Sequence, residues 1–241
     1  MATVVIDNPA KRNAVDAGMR AELAAAYDEV ERNDDIHVAI ITGEGDKAFC
    51  AGGDIDGYLR DNATGPGASG PPPIPKPWPA SKPYIAAIRG YAVGGGFPLA
   101  LACDLRVVGR GARLGPSGLR MGVAQGAQQS QRLVRLIGAS KALELLLLSR
   151  YVSGEEAAAM GLAQAVVDDD AVLSTASEWA MTIAAYDPWA VATTKRLVYE
   201  GQHLPFDEAL RWEAGVAAEG YRRGAALDAF TSFADGEPPS P

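Results

Sequence analysis

The chain has 241 residues, a net charge of −8, 48% apolar and 22% charged residues, the balance of a soluble globular protein with one large domain, or one domain and an appendage. The acidic excess argues against general affinity for nucleic acid or anionic membranes, while leaving room for a local basic site that takes one phosphorylated ligand. No apolar run approaches the ~18 residues of a membrane span, and two cysteines without metal or disulfide spacing, Cys50 and Cys103, fit a reducing, cytoplasmic setting.

In chain order, the start at Met1 reads as a strand rather than a targeting segment. Val4–Asp7 and Val38–Thr42 are predicted strands, short, β-branched and closed by Asn-Pro or Gly. Between them Met19, Leu23, Tyr27 and Val30 recur at helical spacing behind Asp16 as N-cap. A glycine-bearing turn, Cys50-Ala51-Gly52-Gly53-Asp54, follows a strand-like run and opens a helix-like one. Residues 60–80, rich in Gly and Pro, are expected to form a mobile loop. Tyr84–Ile88 and Leu105–Val108 are further strands, and a second turn, Gly94-Gly95-Gly96-Phe97-Pro98, leads into a short apolar helix up to Cys103. From Ala127 the pattern turns mainly helical, with Leu133, Leu136 and Ile137 beginning one helix and Leu143–Leu148 continuing a second. After a short strand at Ala163–Val167 everything reads helical to about Phe233, and Glu237–Pro241 is a tail. The alternation predicts an α/β fold with parallel pairing.

The two glycine turns carry the chemistry. Two such turns can aim two backbone N–H groups at one point, which is the construction of an oxyanion hole. A glycine triplet alone also has a plainer explanation in positive φ or close packing. A phosphate loop is disfavoured, because its glycine spacing and Lys-Ser/Thr pair are missing. Cys50 has no histidine near it in sequence, His37 and His203 are isolated, and no Ser/His/Asp set or metal-ligand cluster can be assembled.

Several segments, in order, resemble one family. They are Asn8-Pro9-Ala10-Lys11-Arg12-Asn13-Ala14-Val15, Ala48 to Ile55 around the first turn, Ser81 to Gly96 around the second, Cys103-Asp104, Glu155 to Leu162, and Pro188 to Lys195. The chain is similar to the crotonase superfamily of enoyl-CoA hydratases and isomerases. The resemblance implies a spiral of ββα units over residues 1–185, carrying the acyl-CoA site, and a C-terminal helical region, 186–241, that builds a homotrimer or a dimer of trimers. It implies a coenzyme A thioester as ligand and no permanently bound cofactor or metal. By motif position, the N–H groups of Gly53 and Gly95 would form the oxyanion hole, Lys11 and Arg12 would meet the nucleotide phosphates, and Ala51 and Ile55 would border the adenine and pantetheine.

Two departures from the family pattern matter. In the family, hydration uses two glutamates, one to deprotonate water and one to supply the α-proton. Those positions are occupied by Pro98 and Gly118, neither of which can transfer a proton. Each positioned acid–base group is worth roughly 10²–10⁴-fold, so ordinary two-glutamate hydration is disfavoured. Polar alternatives nearby are Ser117 and Gln125, with Gln128 and Gln129, and Arg120 as a group for a substrate carboxylate; each also fits a capping or surface role. Tyr58 and Asp61 lead into the loop, and Asp104 reads as a turn residue. The C-terminal Phe233-Ala234-Asp235-Gly236-Glu237 lacks the cations that family members often carry there. The readings left open are decarboxylation, hydrolysis, a divergent lyase or isomerase, a non-catalytic acyl-CoA carrier or sensor, and a scaffold with no ligand.

Overall fold

In the computed structural model, residues 1–61, 74, 77 and 80–234 are described; most of the expected 60–80 loop, the tail from 235, and the side chains of Tyr58, Arg60 and Asp61 lie outside the described residues. The chain starts with β1 (Ala2–Ile6) and α1 (Ala17–Arg32). Asp16 caps α1, its carboxylate accepting from the Met19 N–H at 2.9 Å. Three successive steps then repeat one pattern: β2 (Ala39–Gly43), β3 (Ala48–Cys50) and α2 (Ile55–Asp61); β4 (Tyr84–Ile88), β5 (Tyr91–Val93) and α3 (Gly96–Ala102); β6 (Leu105–Gly109), β7 (Arg113–Gly115) and α4 (Gln129–Leu148). Each step places one strand in each of two sheets. The chain continues through β8 (Val152–Ser153), α5 (Gly154–Ala159), β9 (Ala165–Val167) and four helices, α6 (Val172–Ala184), α7 (Pro188–Gly201), α8 (Phe206–Tyr221) and α9 (Gly224–Ala234).

The first sheet runs β1-β2-β4-β6-β9 and is parallel throughout; the second runs β3-β5-β7-β8, with only β8 antiparallel. The result is the expected spiral of ββα units.

Burial on both faces explains why β2 and β4 read as continuous apolar runs. Ala39 and Ile41 of β2, with Tyr84, Ala86 and Ile88 of β4, face the space between the sheets. Alternate residues Ile40, Ile85 and Ala87 turn outward and pack under α6 through Val172, Ala176 and Ala180. These three recur every four residues along one helix face, and their small side chains let the helix lie close to the sheet. Phe49, Ala92, Leu114 and Val152 close the inter-sheet core from the second sheet.

The predicted strands of the first sheet match to within two residues, and β4 matches end to end. The short strands β7 and β8 have no counterpart in the predicted elements. Two or three residues carry too little periodicity to register, and pairing with neighbours is what makes them strands. The two helices expected after Ala127 lie on either side of Gly138, where φ 75° and ψ 163° break the span labelled α4. Among the described residues, no helix is long and apolar enough to cross a membrane.

Candidate functional site

The first glycine turn leaves β3 at Cys50 and enters α2 at Ile55. The segment before α1 lies beside it. Ala51 N–H donates to the Arg12 carbonyl at 3.1 Å, Val15 N–H to the Gly52 carbonyl at 2.8 Å, and Asp54 N–H to the Val15 carbonyl at 3.0 Å. Asn13, fully buried, fastens that segment: it accepts from Asn8 N–H at 3.0 Å and donates to the Glu44 and Ala48 carbonyls at 3.0 and 2.6 Å. The Val15–Gly53 bridge therefore uses the Gly52 carbonyl and the Asp54 N–H, the groups on either side of Gly53. Among the described residues, no acceptor takes the N–H of Gly53 itself.

The second turn joins β5 to α3. Gly95 is the N-cap of α3, with φ −68° and ψ −20°, so its N–H belongs to the end of a helix where donors lack intrahelical partners. It too meets no acceptor among the described residues. The turns touch backbone to backbone. A β-carbon on Gly52, at φ +107°, would lie 2.8 Å from Gly95 N, and one on Gly96 would run into the Cys50 carbonyl. Only glycine permits this approach. The two open donors thus sit on abutting stretches of main chain.

Ile74 was not singled out in the sequence. Its side chain lies against the second turn, with Cδ1 2.5 Å from where a β-carbon on Gly95 would be. A lone branched residue within a Gly/Pro-rich stretch was the signal available. Asn13 likewise carries no sequence signal of its own beyond its place in the Asn8–Val15 segment, although a buried amide is well suited to fixing irregular backbone.

Pro98 is buried in the first turn of α3, where its missing N–H leaves no helical bond unmade. Gly118 begins a short 3₁₀ turn, Gly118–Met121. A β-carbon there would lie 2.8 Å from Gln125 Oε1 and 2.9 Å from the Val123 carbonyl, so Gln125 fills the volume a side chain at 118 would take. Its Oε1 accepts from Gly118 N–H and from Gln129 Nε2, both at 3.2 Å, and its Nε2 donates to Ser149 Oγ at 3.4 Å. A neutral amide network thus stands where the resemblance leads one to expect a carboxylate.

Ser117 occupies the N-cap position of that turn, yet its hydroxyl makes no capping bond. Its Oγ lies instead beside the second glycine turn, 3.4 Å from the site of a β-carbon on Gly94. Arg120 donates to the Ser149 carbonyl at 2.6 Å and stacks on Tyr151 with its guanidinium 4.8 Å from the ring centre. No carboxylate pairs with Arg120 among the described residues.

On the expected nucleotide side, Lys11 Nζ meets Asp54 at 2.9 Å and Asp56 at 3.6 Å. The Lys11 hydrogen bond, foremost, holds the Asp54 carboxyl below its ordinary range. Arg12 lies over the Tyr91 ring at 5.6 Å. Ile55 is exposed and Ala51 half-buried at the first turn.

Burial pushes the thiols of Cys50 and Cys103 up to about 12, which removes thiolate chemistry at neutral pH. Native protein at pH 8 is therefore expected to resist a thiol reagent, with both cysteines reacting only after unfolding. Rapid labelling of the native chain would contradict this. His37 Nδ1 lies 3.0 Å from the Ala184 carbonyl, a structural contact. No group of three or more His, Cys, Asp or Glu able to hold a metal ion occurs among the described residues.

Asp104 does more than turn the chain. Its Oδ2 accepts from Tyr84 N–H at 2.7 Å and from Lys195 Nζ at 2.8 Å, and Lys195 also donates to the Lys82 carbonyl at 2.7 Å. This cluster fastens α7 to the starts of β4 and β6.

Two sheets wound from repeated ββα steps, with glycine turns opening the second and third helices, define a crotonase-type protein. The enoyl-CoA hydratase/isomerase family model matches residues 1–232. Similar proteins include the (E)-benzylidenesuccinyl-CoA hydratase of Thauera aromatica, 35% identical over 87% of this chain and 83% of that protein. The short-chain-enoyl-CoA hydratase of Clostridium acetobutylicum is 31% identical over 97% of this chain and 90% of its own. Among solved structures, the enoyl-CoA hydratase of Mycobacterium tuberculosis superposes with a TM-score of 0.88 at 30% identity, covering 98% of this chain and 93% of that one. The chain belongs to the enoyl-CoA hydratase/isomerase family.

Proposed function

We propose that this protein binds an acyl-CoA thioester and holds negative charge on the thioester oxygen between the N–H groups of Gly53 and Gly95. The observation that carries the reading is the pair of N–H groups, on abutting backbone, that take no acceptor among the described residues. Lys11, Arg12, Ala51 and Ile55 flank the first turn and are assigned to the coenzyme A moiety, which enters as part of the ligand; no permanent cofactor is required.

The chemistry at that site does not run through a glutamate pair, since positions 98 and 118 hold Pro and Gly. Gln125 supplies hydrogen bonds where a carboxylate would supply a proton. The uncommitted charge of Arg120 favours a substrate that carries its own carboxylate. Loss of carbon dioxide from a malonyl-type thioester leaves the bonding pair on the α-carbon as an enolate, which the two N–H groups stabilise before it takes a proton from water. The helical region from 186 is assigned to self-association as a trimer or a dimer of trimers. Phe206, Tyr221, Leu227, Phe230 and Phe233 are all more than half exposed there, an apolar surface that assembly would cover.

Incubation with crotonyl-CoA, methylmalonyl-CoA and a long-chain acyl-CoA tests this. All three are expected to bind, and hydration of crotonyl-CoA is expected to be slower than in a two-glutamate enzyme by about 10²–10⁴-fold for each missing group. Hydration at an ordinary hydratase rate would overturn the reading of Pro98 and Gly118. Binding without turnover of any of the three would make the protein a carrier. No binding heat with any of them would overturn the ligand assignment.

A further inference from the structure

A second cavity of about 490 Å³ lies between α4 and α7, within the range of small-ligand sites. It is distinct from the glycine turns. Leu101 and Cys103 border it at the C-terminal end of α3, whereas Gly95 stands at the other end of that helix, about 10 Å away at 1.5 Å per residue.

Its lining is strongly cationic. Arg106, Arg132 and Arg135 all border it, and the one carboxylate in the lining is Asp104. Asp104 is already engaged by Lys195 at 2.8 Å, and three guanidinium groups line the same cavity in a chain whose net charge is −8. Among the described residues, no carboxylate lies within ion-pair distance of Arg106 or Arg135.

Arg106 is the anchor. It is 2% exposed, on an inward-facing position of β6. Its guanidinium donates to the carbonyls of Leu162, Ala100, Cys103 and Asp104. Carbonyl dipoles orient the group without cancelling its charge. Burial first, and the like charge of Arg132 among the further causes, lower the Arg106 pKa. Arg135 is held by Gln131, through the carbonyl at 2.8 Å and Oε1 at 3.2 Å. Gln164 spends its Oε1 on Arg106 N–H at 2.9 Å, which leaves its amide nitrogen as a donor at the cavity.

We propose that this cavity binds a small polyanion carrying phosphate or carboxylate groups, with Arg106, Arg132 and Arg135 as its cationic contacts. Guanidinium forks match both oxyanions bidentately. An anion between the arginines also relieves their mutual repulsion.

Calorimetry of the full chain at low ionic strength, with pyrophosphate and separately with citrate, tests the proposal, and the two arms separate phosphate from carboxylate preference. At least one is expected to bind at a single site, to weaken as salt rises, and to lose at least tenfold in affinity in Arg132→Gln/Arg135→Gln. The single variant Arg135→Gln, at an exposed position, is expected to lose part of the affinity and guards against misfolding of the double variant. Butyryl-CoA affinity is expected to be the same in wild type and variants. Absence of binding by both anions, unchanged affinity in the arginine variants, or competition between the anion and butyryl-CoA would each overturn it. Because the probes, pyrophosphate and citrate, carry no thioester, failure of the acyl-CoA reading would leave this result interpretable.

Discussion

Replacing Gly95 with proline is expected to lower turnover of the proposed acyl-CoA substrate by roughly 10²–10³-fold, the effect of losing one oxyanion donor, about 2.7–4 kcal/mol. Proline suits the position locally, because Gly95 already has φ −68°, near the value the ring imposes. The substitution therefore removes the N–H while keeping the helix start. Gly95→Ala is the matched control. It retains the donor, and its β-carbon would meet the movable Cδ1 of Ile74 at 2.5 Å and Gly52 Cα at an ordinary 3.4 Å. The alanine variant is expected to keep most of the activity once Ile74 shifts. Unchanged kcat in a folded Gly95→Pro protein would refute the assignment of the second donor.

Asp104→Asn is expected to destabilise the fold by about 3 kcal/mol, because it leaves a mostly buried ammonium without its carboxylate. The Lys195 and Asp104 side chains are only 9% and 16% exposed, so water can replace little of the lost interaction. For a chain of this length the melting temperature should fall by roughly 6–12 °C. The double variant Asp104→Asn/Lys195→Met removes both charges and is expected to recover much of the loss. A thermal melt of the three proteins decides the matter. If the single and double variants melt alike, removing the ammonium recovers nothing and the ion pair is not the source of the stabilisation.

The two glycine turns are visible as residues, and so are Pro98 and Gly118 at the positions the family resemblance assigns to acid–base groups, because side-chain identity is read directly from the chain. The strands of the first sheet were visible because five-residue apolar runs such as Tyr84–Ile88 carry their own signal. Half of the second sheet is invisible in the sequence. Arg113–Gly115 and Val152–Ser153 become strands by pairing with each other and with β5, a long-range condition that no local window contains. Gln125 was noticed as a polar residue, but its place in the volume beside Gly118 follows from the 3₁₀ turn that brings it back.

The order of residues by itself determined which side chains are on hand: glycines at the two turns, Pro and Gly at positions 98 and 118, and thiols set in apolar surroundings. Only the tertiary structure decided which of those groups meet. Hydrogen bonds from the Arg12–Val15 segment occupy the neighbours of Gly53 and leave its own N–H open, and Asn13 holds that segment in place across 31 to 35 residues of chain. Arg106 and the arginines of α4 converge on one cavity because the third ββα step folds α4 back over the end of α3. Composition establishes an acidic chain overall, but Coulomb energy depends on separation, and separation is a property of the folded chain.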